Sequence, residues 1–341
     1  MKRLLNTLYV TNPDAMLRKK DDAVAVYLDG NEQASIPFHL LEGIVIYGHA
    51  GFTNSLLGSC AEHGVGVVIL DERGRFKCRV EGPVSGNVLL RKAQYEVSSL
   101  PDQSLTIAKR FVMAKVHNSR IVLQHAVRDH PTIEGATVTR AIEGLQISKS
   151  SVSSVMTLDE LRGVEGDAAH VYFSAFGMLL SARDITPSFT GRNRRPPKDP
   201  VNAALSFFYT MLAREIRTAC ESVGLDPQVG YLHACRPGRD SLALDLIEEL
   251  RAPVVDRFVL SLFNRGQLSS KDFEESGGSV FFKDTAFKNV LALWQTKKQE
   301  EITHPFLKER IQIGLIPQIQ AQLLARYLRG NLDDYPAFLW R

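Results

Sequence analysis

The segment EGPVSGN, residues 81–87, separates two kinds of sequence pattern. Its proline, glycine and serine cluster has the composition of a connecting loop. Before it, short apolar runs alternate with turn residues. LNTLYV and GIVIYG have strand character. AVAVYLDGNEQASIPF predicts a hairpin about Asp29-Gly30-Asn31. VGVVIL and RFKCRVEG flank the turn DERGR and predict a second hairpin. TNSLLGSCAEHG, with a threonine start, helical apolar spacing and a glycine stop, predicts one short helix. After residue 87 the apolar period is helical almost to the end. VLLRKAQYEV begins this region, and SLTIAKRFVMAKVHNSRIVLQHAVRDH follows as a long amphipathic segment. Thr157 and Glu160 have capping-box spacing. Asp199-Pro200 is an N-cap and first-turn pair for a helix running to Gly224. The fold class predicted is α+β. A small, sandwich-like β domain with one short helix (residues 1–85) precedes a larger all-α domain (residues 86–341).

Length and composition allow this. At 341 residues the chain accommodates about two domains. Its 44% apolar content supports a core without disulfide or zinc staples. The four cysteines (Cys60, Cys78, Cys220 and Cys235) include no CxxC pair, as expected of reduced, mostly buried thiols. No apolar run approaches the ~18 residues of a membrane span. The N-terminus has no signal-peptide apolar run, so a cytoplasmic location is expected. A net charge of +3 does not by itself indicate nucleic acid; the placement of the charges decides.

GYLHACRPGRDSLALDLIEELR, residues 230–251, carries the chemistry. With Ser241 as cap, Leu242, Ala243, Leu246, Ile247 and Leu250 fill one helical arc. Asp245, Glu248 and Glu249 lie opposite. Taken alone, this is the pattern of a solvated acidic face ending near Pro253. His233 stands twelve residues before Asp245 on a loop short enough to fold back. Imidazole with carboxylates suits a magnesium or transition-metal ion better than zinc. Glu165, between Gly163 and Gly166, is a candidate third ligand. Glycines in a helix cost about 1 kcal/mol each, which points to a tight turn or a close backbone approach; helix punctuation explains them as well. Arg162 beside Glu165 is readable as a surface pair. GRNRRPPKDPVNAALSFFY, residues 191–209, concentrates Arg192, Arg194, Arg195 and Lys198 on a proline-rich loop. Arg236 and Arg239 flank His233. These cations suit phosphate oxygens, although a merely solvated loop has the same composition. Phosphate-binding P-loops, dinucleotide fingerprints, nucleophile elbows and HExxH are absent.

Together, RGVEG around Glu165, RPPKDPVNAALSFFY and GYLHACRPGRDSLALDLIEELR resemble the CRISPR-associated endonuclease/integrase family, the larger of the two proteins that acquire new spacers. The resemblance spans the whole chain. LLNTLYV and GPVSGNVLLRKAQYE resemble the type I-C subtype. The resemblance implies a divalent ion, Mg2+ or Mn2+, held by Glu165, His233 and Glu248. It selects Glu248 over Glu249, which is left as surface charge, and makes Asp245 an auxiliary acid. It further implies binding of double-stranded and branched DNA, and attack of a fragment's 3′-hydroxyl on a repeat-edge phosphodiester. Arg192, Arg195, Lys198, Arg236 and Arg239 are the expected DNA contacts. A homodimer, and a heterohexamer with a small ferredoxin-like companion protein, are implied as well. A free-standing structure-selective repair endonuclease and a catalytically decayed DNA-binding scaffold are the rival functions.

Overall fold

The computed structural model describes residues 6–71, 76–80, 82, 88–129, 135–181 and 189–341. The predicted linker, Gly82 apart, and most of the DERGR turn lie outside the described residues. The chain forms two compact units: residues 1–85 with 284–300, and residues 86–283 with 301–341.

In the first unit, one sheet has the order β1-β5-β7-β8. It is built from β1 (Asn6–Val10), β5 (Leu41–Tyr47), β7 (Gly66–Leu70) and β8 (Phe76–Val80). The other, ordered β4-β3-β2-β6, uses β2 (Met16–Lys20), β3 (Ala23–Leu28), β4 (Asn31–Pro37) and β6 (Gly51–Phe52). The β3–β4 hairpin turns through Asp29 and Gly30, both at positive φ (50° and 77°), as the Asp-Gly pair predicts. β7 and β8 form the second predicted hairpin. The parallel pairing of β5 with β1 and with β7 was not anticipated. The predicted short helix, α1 (Asn54–Glu62), supplies the crossover that a parallel β5–β7 pair needs. Leu17 and Val24 of one sheet, Ile44, Ile46 and Val67 of the other, and Leu56 and Cys60 of α1 share one core. The partition at residue 85 needs one correction. Helix α9 (Asp284–Gln299) belongs with this unit, because Gln295 Nε2 donates to Thr7 O (2.7 Å) and Phe287 packs edge-on against Tyr47.

The second unit is mainly helical. α2 (Val88–Ser99), α3 (Pro101–Asp129), α4 (Ala136–Ser154) and α5 (Leu158–Phe176) precede a long central α6 (Pro200–Val223). α7 (Ser241–Glu248), α8 (Arg257–Asn264) and α10 (Ile316–Leu328) follow. α3 packs on α4 and α5, and α6 on α7 and α10. The α6 ends are as predicted: Asp199 Oδ1 accepts from Asn202 N (2.8 Å), Pro200 follows, and Gly224 closes the helix at φ 88°. Pro253 lies in a π-helical turn, Arg251–Asp256, between α7 and α8. The all-α expectation is corrected by two ribbons, β9 (Phe273–Ser276) with β10 (Ser279–Phe282) and β11 (Glu301–Thr303) with β12 (Arg310–Gln312). FEESGGSVFF carried the signal for the first, since Gly277 and Gly278 take the positive φ of a two-residue turn (60° and 71°). Two of the four cysteines, Cys78 and Cys235, are exposed. No helix among the described residues is long and apolar enough to cross a membrane.

Beyond α10 the chain has no helix or strand, yet it is tightly held. Asn118 Nδ2 donates to Phe338 O and to Glu249 O (both 2.7 Å), and Trp340 N donates to Asn118 Oδ1 (2.8 Å). The fully buried Glu249 carboxylate accepts from Tyr335 Oη, Phe338 N and Gln320 Nε2. Removing that carboxylate strands Tyr335 Oη and Phe338 N, while Gln320 Nε2 keeps Tyr335 Oη as an acceptor (2.8 Å). Glu249→Ala should therefore cost about 3 kcal/mol, and Tyr335→Phe about 1 kcal/mol. Urea unfolding midpoints at constant m-value measure both; equal, negligible losses would show the tail to be loosely attached.

Candidate metal centre

The solvated acidic face expected on α7 does not exist. Every residue from Ser241 to Glu249 is buried except the half-buried Leu244. The three acids do share a side, as the helical period requires, but that side faces protein. Glu249, expected on the surface, is the tail anchor described above. Burial pushes its carboxyl up to about 7, against the lowering effect of its three donors. Ser241 does not cap the helix. Asp240 holds that position, gripped by Arg217 Nη1 (2.7 and 2.8 Å), while Ser241 Oγ donates to Ala234 O (3.0 Å).

Asp245 organises the histidine loop. Its Oδ2 accepts from Tyr231 N (2.6 Å) and Leu232 N (3.0 Å), and its Oδ1 accepts from His233 N (2.9 Å). The same Oδ1 lies 2.7 Å from His233 Nδ1. A carboxylate only accepts, so in the neutral ring Nδ1 carries the proton and Nε2 keeps a lone pair. Gly230 makes this approach possible: a Cβ there would stand 2.8 Å from Asp245 Oδ2 and from Ser241 Cβ. With four donors on two oxygens, Asp245 orients the histidine and has no evident capacity left for an ion.

Glu165 projects from α5 and Glu248 from the last turn of α7, and both meet Lys115 of α3. The Lys115 ammonium donates to Glu165 Oε1 and lies 2.6 Å from Glu248 Oε2. The latter contact lacks hydrogen-bond geometry and leaves Oε2 with no hydrogen-bond partner. Arg251 Nη2 lies 3.1 Å from Glu248 Oε1, and its guanidinium sits 4.7 Å from the Tyr209 ring centroid. Burial works to raise the Glu248 carboxyl, but Arg251 and Lys115 outweigh it and hold the group at about 2. Arg162, one turn before Glu165, donates from Nε (3.0 Å) and Nη2 (2.8 Å) to Leu232 O. It thus ties the Glu165 helix to the backbone just before His233, and is not a plain surface pair. Gly163 and Gly166 lie inside α5, and nothing approaches within 4 Å of where their Cβ atoms would be. The expected turn or close backbone approach is absent.

Among the described residues, no three His, Cys, Asp or Glu side chains converge as a ready-made metal cage. The two carboxylates converge on an ammonium instead. Lys115, Arg162 and Arg251 were not singled out as site residues by sequence reasoning. Only their spacing to the acids, Arg162 three before Glu165 and Arg251 three after Glu248, offered a signal. Of the expected phosphate contacts, Arg195, Lys198 and Arg236 are exposed and Arg239 is half-buried. Arg192 turns inward: it donates to Asn202 Oδ1 (2.7 Å) and Ser206 Oγ (3.1 Å) and lies 5.5 Å from the Tyr209 ring centroid.

Residues 8–296 match the family model described as CRISPR associated protein Cas1. The chain belongs to the Cas1 family. It is 50% identical to CRISPR-associated endonuclease Cas1 2 of Rhodospirillum rubrum and 47% identical to CRISPR-associated endonuclease Cas1 1 of Chlorobaculum tepidum. Both matches cover the whole of each chain. Among solved structures, a CAS1 protein from Thermotoga maritima superposes with a TM-score of 0.81 at 21% identity, over 97% of this chain and 99% of that one. A casposase bound to integration product also gives 0.81, at 26% identity, over 99% and 96%. A Cas1 fold, mixed α+β with a β-rich N-terminal region and a helical domain, is therefore established.

Asp245→Asn places an amide NH2 among backbone donors. We expect a loss of about 2–4 kcal/mol and, in long-range 1H–15N spectra, loss of the Nδ1-protonated His233 tautomer. A wild-type spectrum showing the Nε2-protonated tautomer would contradict the assigned hydrogen bond.

Proposed function

We propose that this Cas1-family chain is a metal-dependent DNA endonuclease/integrase. It would insert foreign DNA fragments as new spacers into a CRISPR array by transesterification. The observation that carries the reading is the meeting of two carboxylates from separate helices, Glu165 and Glu248, at a cation, beside a histidine whose Nε2 is kept free by a buried aspartate. That donor set, two hard oxygens and one imidazole, fits Mg2+ or Mn2+. Glu165, Glu248 and His233 would hold the ion. When bound, the ion supplies polarisation of the phosphodiester and charge stabilisation for the attacking and leaving oxygens.

The chain's own residues prepare that site. Asp245 fixes the His233 ring, Arg162 fixes the loop bearing it, and Arg251 holds one Glu248 oxygen. The exposed Arg195, Lys198 and Arg236 would hold the strand's phosphates; Arg192 supports the loop from within. The casposase similarity, to a protein solved with its integration product, supports DNA joining over stand-alone repair. The intact set of acids and histidine speaks against a decayed scaffold. Family membership, with a neighbour solved as a Cas6-RT-Cas1–Cas2 complex (TM-score 0.80, 22% identity, 98% of this chain and 36% of that one), supports a small companion protein. We extend this to a homodimeric protein in a heterohexamer with a ferredoxin-like companion. The type I-C-like subtype rests on the LLNTLYV and GPVSGNVLLRKAQYE phrases alone.

The test incubates protein and companion with short duplexes and a repeat-bearing plasmid in Mg2+ or Mn2+. Glu165→Ala and His233→Ala should each reduce joining and nicking at least about 100-fold, the scale of electrostatic transition-state stabilisation. Wild-type-level joining by either variant would refute the assignment. For the strand contacts, Arg195→Ala/Lys198→Ala should lower the slope of log K against log salt by about one to two. Fluorescence anisotropy reads it, and an unchanged slope would remove that loop from the interface.

A further inference from the structure

We propose that Lys115 is the resident counter-cation of the site: its ammonium holds Glu165 and Glu248 together without metal and moves out when a divalent ion enters. The inference rests on the metal reading above. Two carboxylates brought together from α5 and α7 repel each other unless a positive charge lies between them. Lys115 supplies it, in contact with Glu165 Oε1 and 2.6 Å from Glu248 Oε2. A divalent ion bound by those oxygens would need the same position, and it offers two charges in place of one.

The second cation at the site, Arg251, is built differently. Its planar group is 4.7 Å from the Tyr209 ring centroid and pairs with the other Glu248 oxygen, Oε1, at 3.1 Å. Tyr209 Oη donates in turn to the buried Asp256. Arg251 can therefore stay while an ion binds. Lys115 is a compact point charge on a flexible four-carbon stem. Its contact with Glu248 is to Oε2 alone, 2.6 Å away, and a carboxylate oxygen has a second lone pair for an incoming ion. Its neighbours on α3, Ala114 and Val116, are fully buried and fix the backbone, so the exchange needs only side-chain rotation. Lys115 is thus a positioning residue that keeps the ligands assembled and sets the threshold for metal loading.

Two measurements test this without recourse to activity. Calorimetric titration with MnCl2 compares wild type with Lys115→Met. Without its competitor, the variant should bind Mn2+ about ten-fold more tightly, about 1.4 kcal/mol. Its metal-free melting temperature should fall below that of wild type, and its Mn2+-induced rise should be larger. On the wild-type protein, acetylation of Lys115 by an amine-reactive ester, quantified by mass spectrometry, should rise several-fold on Mn2+ saturation as the ammonium is released. Unchanged or weaker Mn2+ binding by a folded Lys115→Met, or Lys115 labelling that Mn2+ does not raise, overturns the proposal and leaves the metal reading standing. If the variant does not fold, the wild-type labelling decides alone. Failure of the wild type itself to bind Mn2+ overturns both.

Discussion

Negative charge buried on one short helix is the constraint on which the second unit is built. α7 and the residue after it carry Asp245, Glu248 and Glu249, all withdrawn from water. An uncompensated buried carboxylate costs several kcal/mol, so each must find its own partners. Asp245 is satisfied by three backbone N–H groups and the His233 ring. Glu249 is satisfied by neutral donors of α10 and the C-terminal tail. Glu248 alone is met by cations, Arg251 and Lys115. The division follows from where each carboxylate points: toward the histidine loop, toward the tail, and toward Glu165.

That division separates structure from chemistry. Glu249 and the tail fix α7 in place; Asp245 and Arg162 fix the loop before and at His233; on the proposed reading, Glu248, Glu165 and His233 Nε2 are left for an ion. Carboxylates held by cations can exchange them, whereas carboxylates saturated by backbone donors cannot. On the proposed reading, the helix carries one exchangeable acid between two that are locked, and the choice of Glu248 over its neighbours follows from the partners those neighbours already have.

The sequence made a good part of this legible. Six of the first unit's strands, the Asp-Gly hairpin, the Asp199–Pro200 and Gly224 limits of α6 and the interruption at Pro253 are local signals, and each appears where its residues placed it; β2 and β6 were not anticipated. The parallel β5–β7 pairing was missed because strand partnering is a long-range property, although the GIVIYG, TNSLLGSCAEHG and VGVVIL runs stood in the right order for a crossover. On α7 the helical period correctly placed the three acids on one side. It could not show that the side is covered, because the covering groups come from α3, α10 and the tail, up to ~130 residues away in sequence. Glu249 was misjudged for that reason. Lys115 was invisible for the same one: it sits in an ordinary amphipathic helix, and only the fold brings it to Glu165 and Glu248. Arg192 shared a basic loop with Arg195 and Lys198, yet points inward because Asn202 and Ser206, on the first turns of α6, lie within its reach.

The most direct test of the central claim is a crystal structure of the protein soaked in Mn2+, with the ion located by anomalous scattering. A single strong peak ligated by Glu165, Glu248 and His233 Nε2, with Asp245 still on the Tyr231 and Leu232 N–H groups, is the result predicted. A peak bound directly by Asp245, or one lying away from Glu165 and Glu248, would contradict the account.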